Sequence, residues 1–248
     1  TKIGEYEILC EELCGIGHHT MRGMVVVDTQ KDFDAWLDSQ PTYAELLAKP
    51  KGNAQIGQAQ YAVCAACHGT SGEGNRQLNS PRLAGSEGWY MRRQIEYFKS
   101  GVRGAHPDDV YGMQMAPMAA TLIDDTAISN VIAYIETLPD VPAPKTVVGD
   151  VANGEDIYTT CGACHGWDGE GRQALNAPRQ AGMDDWYLVR QLKNFNSGVR
   201  GAHPGDKYGM QMSMMAAILG SDDRVNDVVA YINTLAGPET QQQIAARE

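Results

Sequence analysis

Two stretches of the chain carry the same apolar stripe. Ile128, Val131, Ile132 and Ile135 fall at i, i+3, i+4 and i+7, and Val225, Val228, Val229 and Ile232 repeat that spacing, so each predicts a helix with one buried face. Pro139 ends the first and Gly237-Pro238 the second. Upstream of each, a helix is expected over about Ser86–Ser100 and Asp184–Ser197. Before that, a shorter helix starts near Asn53 or Asn153, each a suitable N-cap, and carries Tyr61 or Tyr158. Gly72-Glu73-Gly74 and Gly169-Glu170-Gly171 punctuate the loops that follow. The first 50 residues have a different rhythm. Tyr6-Glu7-Ile8-Leu9 and Met24-Val25-Val26-Val27 read as short strands and Asp32–Ser39 as a short helix, with Pro41 and Pro50 bracketing a connection.

The shared pattern reflects a duplication. A shift of 97 residues lays Gly57–Leu138 on Gly154–Leu235 without a gap, and 46 of the 82 aligned positions are identical. A period this long suits a small domain better than a solenoid unit, so two domains in tandem are expected. Pro139-Asp140-Val141-Pro142-Ala143-Pro144 reads as a stiff, extended linker between them. The tail from Glu239 is polar.

Each repeat carries one C-x-x-C-H run, Cys64-Ala65-Ala66-Cys67-His68 and Cys161-Gly162-Ala163-Cys164-His165. Two thiols one helical turn apart can each add to a haem vinyl group, and the adjacent imidazole reaches the iron from the same side, so the motif predicts covalent haem c. Domains of about 85 residues are marginal on a protein core alone, and a buried porphyrin supplies an apolar centre. Cys10 and Cys14 are left over. Attached haem points outside the cytoplasm, where either a metal site or a disulfide suits the remaining pair.

The formal net charge of −11 makes nucleic acid a poor partner and a cationic protein a plausible one, although acidity also simply keeps a protein soluble. No stretch approaches the roughly 18 to 20 apolar residues of a membrane span. Thr1-Lys2-Ile3-Gly4-Glu5 does not start a signal peptide, so any export signal or anchor is expected to be removed or omitted.

The sixth iron ligand is sought among Met113, Met115 and Met118, and among Met210, Met212, Met214 and Met215; spacing alone does not select one. The segments Gly57–Leu138 and Gly154–Leu235 resemble class I cytochromes c, and as a pair they resemble the diheme c4-type cytochromes. That resemblance implies axial methionines seven residues before Leu122 and Leu219, which are Met115 and Met212, with Met118 and Met215 packing under the haem. It also implies that a carbonyl at Pro81 and Pro178 accepts the proximal imidazole N–H. His/Met ligation leaves no open coordination site and suits single-electron transfer. Arg103 and Arg200, in the repeated Ser-Gly-Val-Arg-Gly-Ala-His-Pro stretch, are candidates to pair with haem propionates, and Arg82 and Arg179 beside the prolines are further candidate haem-binding residues. His106 and His203 are read as surface or second-layer groups, while Trp89-Tyr90 and Trp186-Tyr187 fit a haem pocket or ordinary packing equally well.

Residues Cys10–Met21 hold two thiols, an imidazole and a thioether, a soft ligand set suited to copper. The run resembles the dinuclear copper A loop of cytochrome c oxidase subunit II, including the strand and helix that follow. Carried over, Cys10 and Cys14 bridge two coppers, His18 and Met21 are terminal ligands, and Glu12 offers its carbonyl. That centre needs an upstream histidine, and none precedes Cys10, so the copper A site is incomplete in this chain.

The expected architecture is mainly α, two tandem class I cytochrome c domains preceded by a truncated cupredoxin-like β fragment. Residues 1–49 form the copper A fragment, 50–139 the first haem domain, 140–148 the linker, 149–238 the second haem domain and 239–248 the tail. The expected function is a diheme electron-transfer module feeding a haem-copper oxidase. Its partners are the oxidase catalytic subunit and a donor cytochrome or quinol-oxidising complex, in the periplasm or on the periplasmic face of the cytoplasmic membrane. The rivals are an independent periplasmic shuttle and a diheme peroxidase, which needs an open iron face.

Overall fold

The computed structural model describes residues 2–9, 22–40 and 52–236. They fall into two compact units, divided between Lys51 and Gly52. In the first, strands β1 (Gly4–Leu9) and β2 (Arg22–Val27) pair antiparallel, with Gly4 opposite Val27 and Leu9 opposite Arg22. Helix α1 (Gln30–Asp38) follows, capped by the Thr29 hydroxyl. The described part of this unit is a hairpin and one helix, so a cupredoxin-like barrel is not shown. The proposed copper residues Cys10, Glu12, Cys14, His18 and Met21 lie outside the described residues.

The second unit repeats one four-helix plan. The first copy comprises α2 (Ala54–His68), α3 (Gly88–Ser100), α4 (Val110–Ala120) and α5 (Asp125–Ile135). The second comprises α6 (Val151–His165), α7 (Asp185–Asn196), α8 (Lys207–Ala217) and α9 (Asp222–Ile232). In each copy the first and last helices pack most closely, α2 on α5 and α6 on α9. A glycine makes the approach possible: a Cβ on Gly57 would sit 1.9 Å from the Asn130 carbonyl oxygen, and one on Gly154 2.0 Å from that of Asp227. Around this crossing the apolar stripes close two cores, one on Tyr61, Ile128, Val131 and Ile135, the other on Tyr158, Val225, Val228 and Ile232.

The expected N-cap Asn53 accepts from the Gln55 and Ile56 amides, but the expected Asn153 lies inside α6. Its place is taken by Asp150, which accepts from Ala152 and Asn153 and stands 97 residues after Asn53. Helices α4 and α8, which carry the methionine clusters, were not foreseen; Asp109 and Asp206 cap them.

The two copies face each other with reciprocal contacts, as the subunits of a symmetric dimer do. Arg93 donates to the Asn176 side chain at 2.9 Å, and Arg190 donates to that of Asn79. Arg93 also lies over the Tyr208 ring at 4.7 Å and Arg190 over that of Tyr111 at 4.5 Å. Both asparagines adopt φ of 56°, in the left-handed region that asparagine tolerates better than most residues.

Candidate haem sites

Each C-x-x-C-H run closes a helix. His68 ends α2 and His165 ends α6; both are buried, with Nδ1 2.6 Å from the Pro81 carbonyl oxygen and 2.7 Å from that of Pro178 respectively. A carbonyl only accepts, so Nδ1 carries the proton and Nε2 keeps its lone pair for a metal. Burial lowers both imidazole pKa values, against the opposing pull of the prolyl carbonyl, which favours the neutral, ligating form. Behind each histidine the chain turns through a glycine, Gly69 at φ 83° and Gly166 at φ 86°. The Tyr61 hydroxyl donates to the Gly69 carbonyl at 2.8 Å and that of Tyr158 to Gly166 at 2.9 Å, tying the turn to its own helix. Burial raises both phenol pKa values far above the ordinary range and keeps them as donors.

The four thiols of the two motifs form no disulfide, as attachment to haem requires. Cys64 and Cys161 are half-buried and Cys67 and Cys164 exposed; burial pushes the Cys64 thiol up and that of Cys161 to about 11.

A mainly apolar cavity of about 370 Å³ runs between the repeats and is walled by both. His68 and Met115 line it from the first copy, His165 and Met212 from the second. Among the described residues, Met115 and Met212 are the one methionine pair related by the 97-residue step that lines the cavity in both copies. Met118 reaches it but Met215 does not, while Met113 and Met210 are exposed.

Arg103 and Arg200 also line the cavity and are 7% and 5% exposed. Arg103 Nη1 donates to Gln94 and Arg200 Nη1 to Gln191, each at 2.7 Å, and Arg200 Nη2 reaches across to Gln94 at 3.2 Å. The Nε of both arginines is buried without a hydrogen-bond partner. A buried guanidinium with an idle N–H in an apolar slot suits an anion, and a porphyrin offers both an apolar plane and two carboxylates. The residues present therefore fit haem.

Arg82 and Arg179 reach the same cavity, but their donors are engaged between the repeats and with the linker. Arg82 donates to the carbonyls of Ala84, Val141 and Gly182, and Arg179 to those of Ala181 and Gly85. Both pair with Asp140. Tyr90 and Tyr187 line the cavity, whereas His106 and His203 do not and instead accept loop amides from Asp108 and Gly205.

Residues 54–139 and 151–236 each match the sequence profile described as Cytochrome c. The chain belongs to the cytochrome c family. As a two-domain cytochrome c it is 31% identical over 201 residues to cytochrome c4 of Azotobacter vinelandii, covering 76% of this chain and 92% of that protein. It is 32% identical over 222 residues to the thiosulfate dehydrogenase electron acceptor of Stutzerimonas stutzeri, covering 80% and 95%. Its fold matches the crystal structure of reduced recombinant cytochrome c4 from Pseudomonas stutzeri with a TM-score of 0.59 at 28% identity, over 74% of this chain and 99% of that one. It is a diheme electron-transfer cytochrome of the c4 type, and its two domains imply two covalent haem c groups. These relatives give no support for a copper A region or a fused oxidase subunit II. No helix among the described residues is long and apolar enough to cross a membrane.

The reciprocal Arg–Asn and Arg–Tyr contacts do not follow from the apolar stripes or the haem motifs. Their signal was present: Asn79, Arg93 and Tyr111 recur unchanged as Asn176, Arg190 and Tyr208, at positions where neither an apolar stripe nor a haem motif explains the identity.

Proposed function

We propose that the chain relays single electrons through two His/Met-ligated haems, from a donor cytochrome or quinol-oxidising complex to the copper A centre of a haem-copper oxidase, on the periplasmic side of the membrane. The observation that carries the relay is the shared cavity, in which His68 with Met115 and His165 with Met212 form one wall system. Haem supplies the one-electron couple. The protein's part would be to offer His68 and His165 as neutral imidazoles with Nδ1 fixed by a prolyl carbonyl, Met115 and Met212 as thioether ligands, and the unpaired Nε of Arg103 and Arg200 as donors to the haem carboxylates. A methionine on the distal side leaves no place for peroxide, which speaks against the peroxidase reading.

The oxidase as acceptor is supported by the Cys10, Glu12, Cys14, His18 and Met21 pattern and by the strands on either side of it, which pair with Leu9 opposite Arg22. The test is rapid mixing of the reduced protein with an oxidised haem-copper oxidase under anaerobic conditions. Saturable oxidation of both haems, with reduction of the oxidase copper before its haems, is expected. Oxidation that bypasses the copper, or none at all while a soluble reductase partner is served, favours the independent shuttle.

A further inference from the structure

We propose that Gln180 makes the second haem site the lower-potential one, so that electrons arrive at the second repeat and leave through the first; this rests on the relay reading above. The duplication provides an internal control. Leu83 and Gln180 are 97 residues apart, and their amides donate to equivalent carbonyls, Gly72 at 2.8 Å and Gly169 at 2.9 Å. Each follows the Pro-Arg pair whose prolyl oxygen holds the proximal histidine, and each precedes a fully buried alanine. The backbone is thus the same, and the side chain is what differs.

Both side chains line the cavity. Leu83 packs against the first core. Gln180 is 9% exposed, and its Oε1 is buried without a hydrogen-bond partner. An amide left with an unpartnered end in an apolar wall can turn its dipole toward whichever charge the neighbouring group carries. Ferric haem bears one more positive charge than ferrous haem, so a polar wall favours the ferric form and lowers the potential, whereas leucine offers no such response.

The experiment is a potentiometric titration of the haem-loaded chain, followed by visible absorption, for the unchanged protein and for Gln180→Leu, Gln180→Met and Leu83→Gln. Methionine keeps the length of glutamine without its amide, which separates polarity from packing. Two one-electron waves are expected in the unchanged protein. Both Gln180 variants raise the lower wave by about three- to tenfold in the ferrous-to-ferric ratio at fixed potential, tenfold being ~59 mV. Leu83→Gln lowers the upper wave. Because each substitution touches one repeat, the wave that moves assigns itself. The inference is overturned if the Gln180 variants move the upper wave or neither wave. If both fail to take up haem, a Leu83→Gln variant whose upper wave stays in place overturns it as well. No partner is present in the titration, so this outcome leaves the relay reading intact, whereas failed transfer to the oxidase with the split unchanged removes the relay reading alone.

Discussion

The backbone N–H of Arg82 donates to the Asp184 carboxylate at 2.7 Å, across from one repeat to the other. The contact is returned 97 residues on, where the Arg179 N–H donates to Glu87 at 3.0 Å. The same two arginines converge through their side chains on Asp140, which belongs to the linker and has no twin. A stiff segment with three prolines in six residues thus does more than limit separation: its one carboxylate neutralises two buried cations where the copies meet.

Asp140→Ala removes the carboxylate that Arg82 and Arg179, 3% and 7% exposed at the side chain, share through their guanidinium groups, leaving only the Asp184 and Glu87 carboxylates near them. Breaking a buried pair from one side is costly, and a loss of about 3 kcal/mol is expected. Urea unfolding followed separately at each haem checks this. The unchanged protein unfolds in one transition and the variant in two, as the repeats uncouple; a single transition with a loss under about 1 kcal/mol contradicts the assignment.

Asp185 is fully buried and accepts from the Thr146 and Val147 amides, the Thr146 hydroxyl and the Asn233 side chain. Burial alone would raise its pKa, but these donors together outweigh it and hold the carboxyl below the ordinary 3.8. A depressed folded pKa means that the stabilisation is complete above the unfolded value and is lost as pH falls through the folded one. Asp185→Asn is expected to cost about 1–3 kcal/mol at neutral pH and to flatten the acid limb of stability below about pH 4. Denaturation across a pH series measures both effects, and an unchanged acid limb would refute the role. The first copy has no counterpart: Gly88 occupies the position, and Glu136 fills the space where a side chain would stand.

Met115→Ala and Met212→Ala should each convert one haem of two from low-spin to high-spin, with a fall in that haem's potential. Met118→Leu and Met215→Leu should leave both low-spin. Magnetic circular dichroism distinguishes the states, and a high-spin haem in the Met118 or Met215 variant would transfer the ligand role to those residues.

Much of this fold was legible because the haem domains announce themselves twice. The i, i+3, i+4, i+7 stripes became the buried faces of α5 and α9, and the prolines after the haem motif hold His68 and His165 as the family resemblance implied. The periodicity of helices α4 and α8 is masked by Pro117 in the first, by an internal glycine in each, Gly112 and Gly209, and by a run of methionines. The interface was missed for a different reason. Arg82 and Arg179 looked like haem-facing cations, and nothing in one repeat reveals that its partner is the other copy. Residue type alone favours Asn153 as the cap, whereas the 97-residue step from Asn53 points to Asp150.

Gly57→Ala and Gly154→Ala place a methyl within 2.0 Å of a carbonyl oxygen of the facing helix, so backbone must move. Each should lose about 2–4 kcal/mol, the cost of overpacking a tight crossing, visible as a lower unfolding midpoint. Near-wild-type stability would show that the helices cross with more room than the structure gives them.

The central claim is two covalent haems per chain, each closed by histidine on one side and methionine on the other. Near-infrared magnetic circular dichroism of the oxidised protein, paired with haem stoichiometry after acid-acetone extraction, tests it most directly. Two extraction-resistant haems, both with the low-spin His/Met signature, are the predicted result. A single haem, or any fraction with bis-histidine or high-spin character in the unchanged protein, would contradict it.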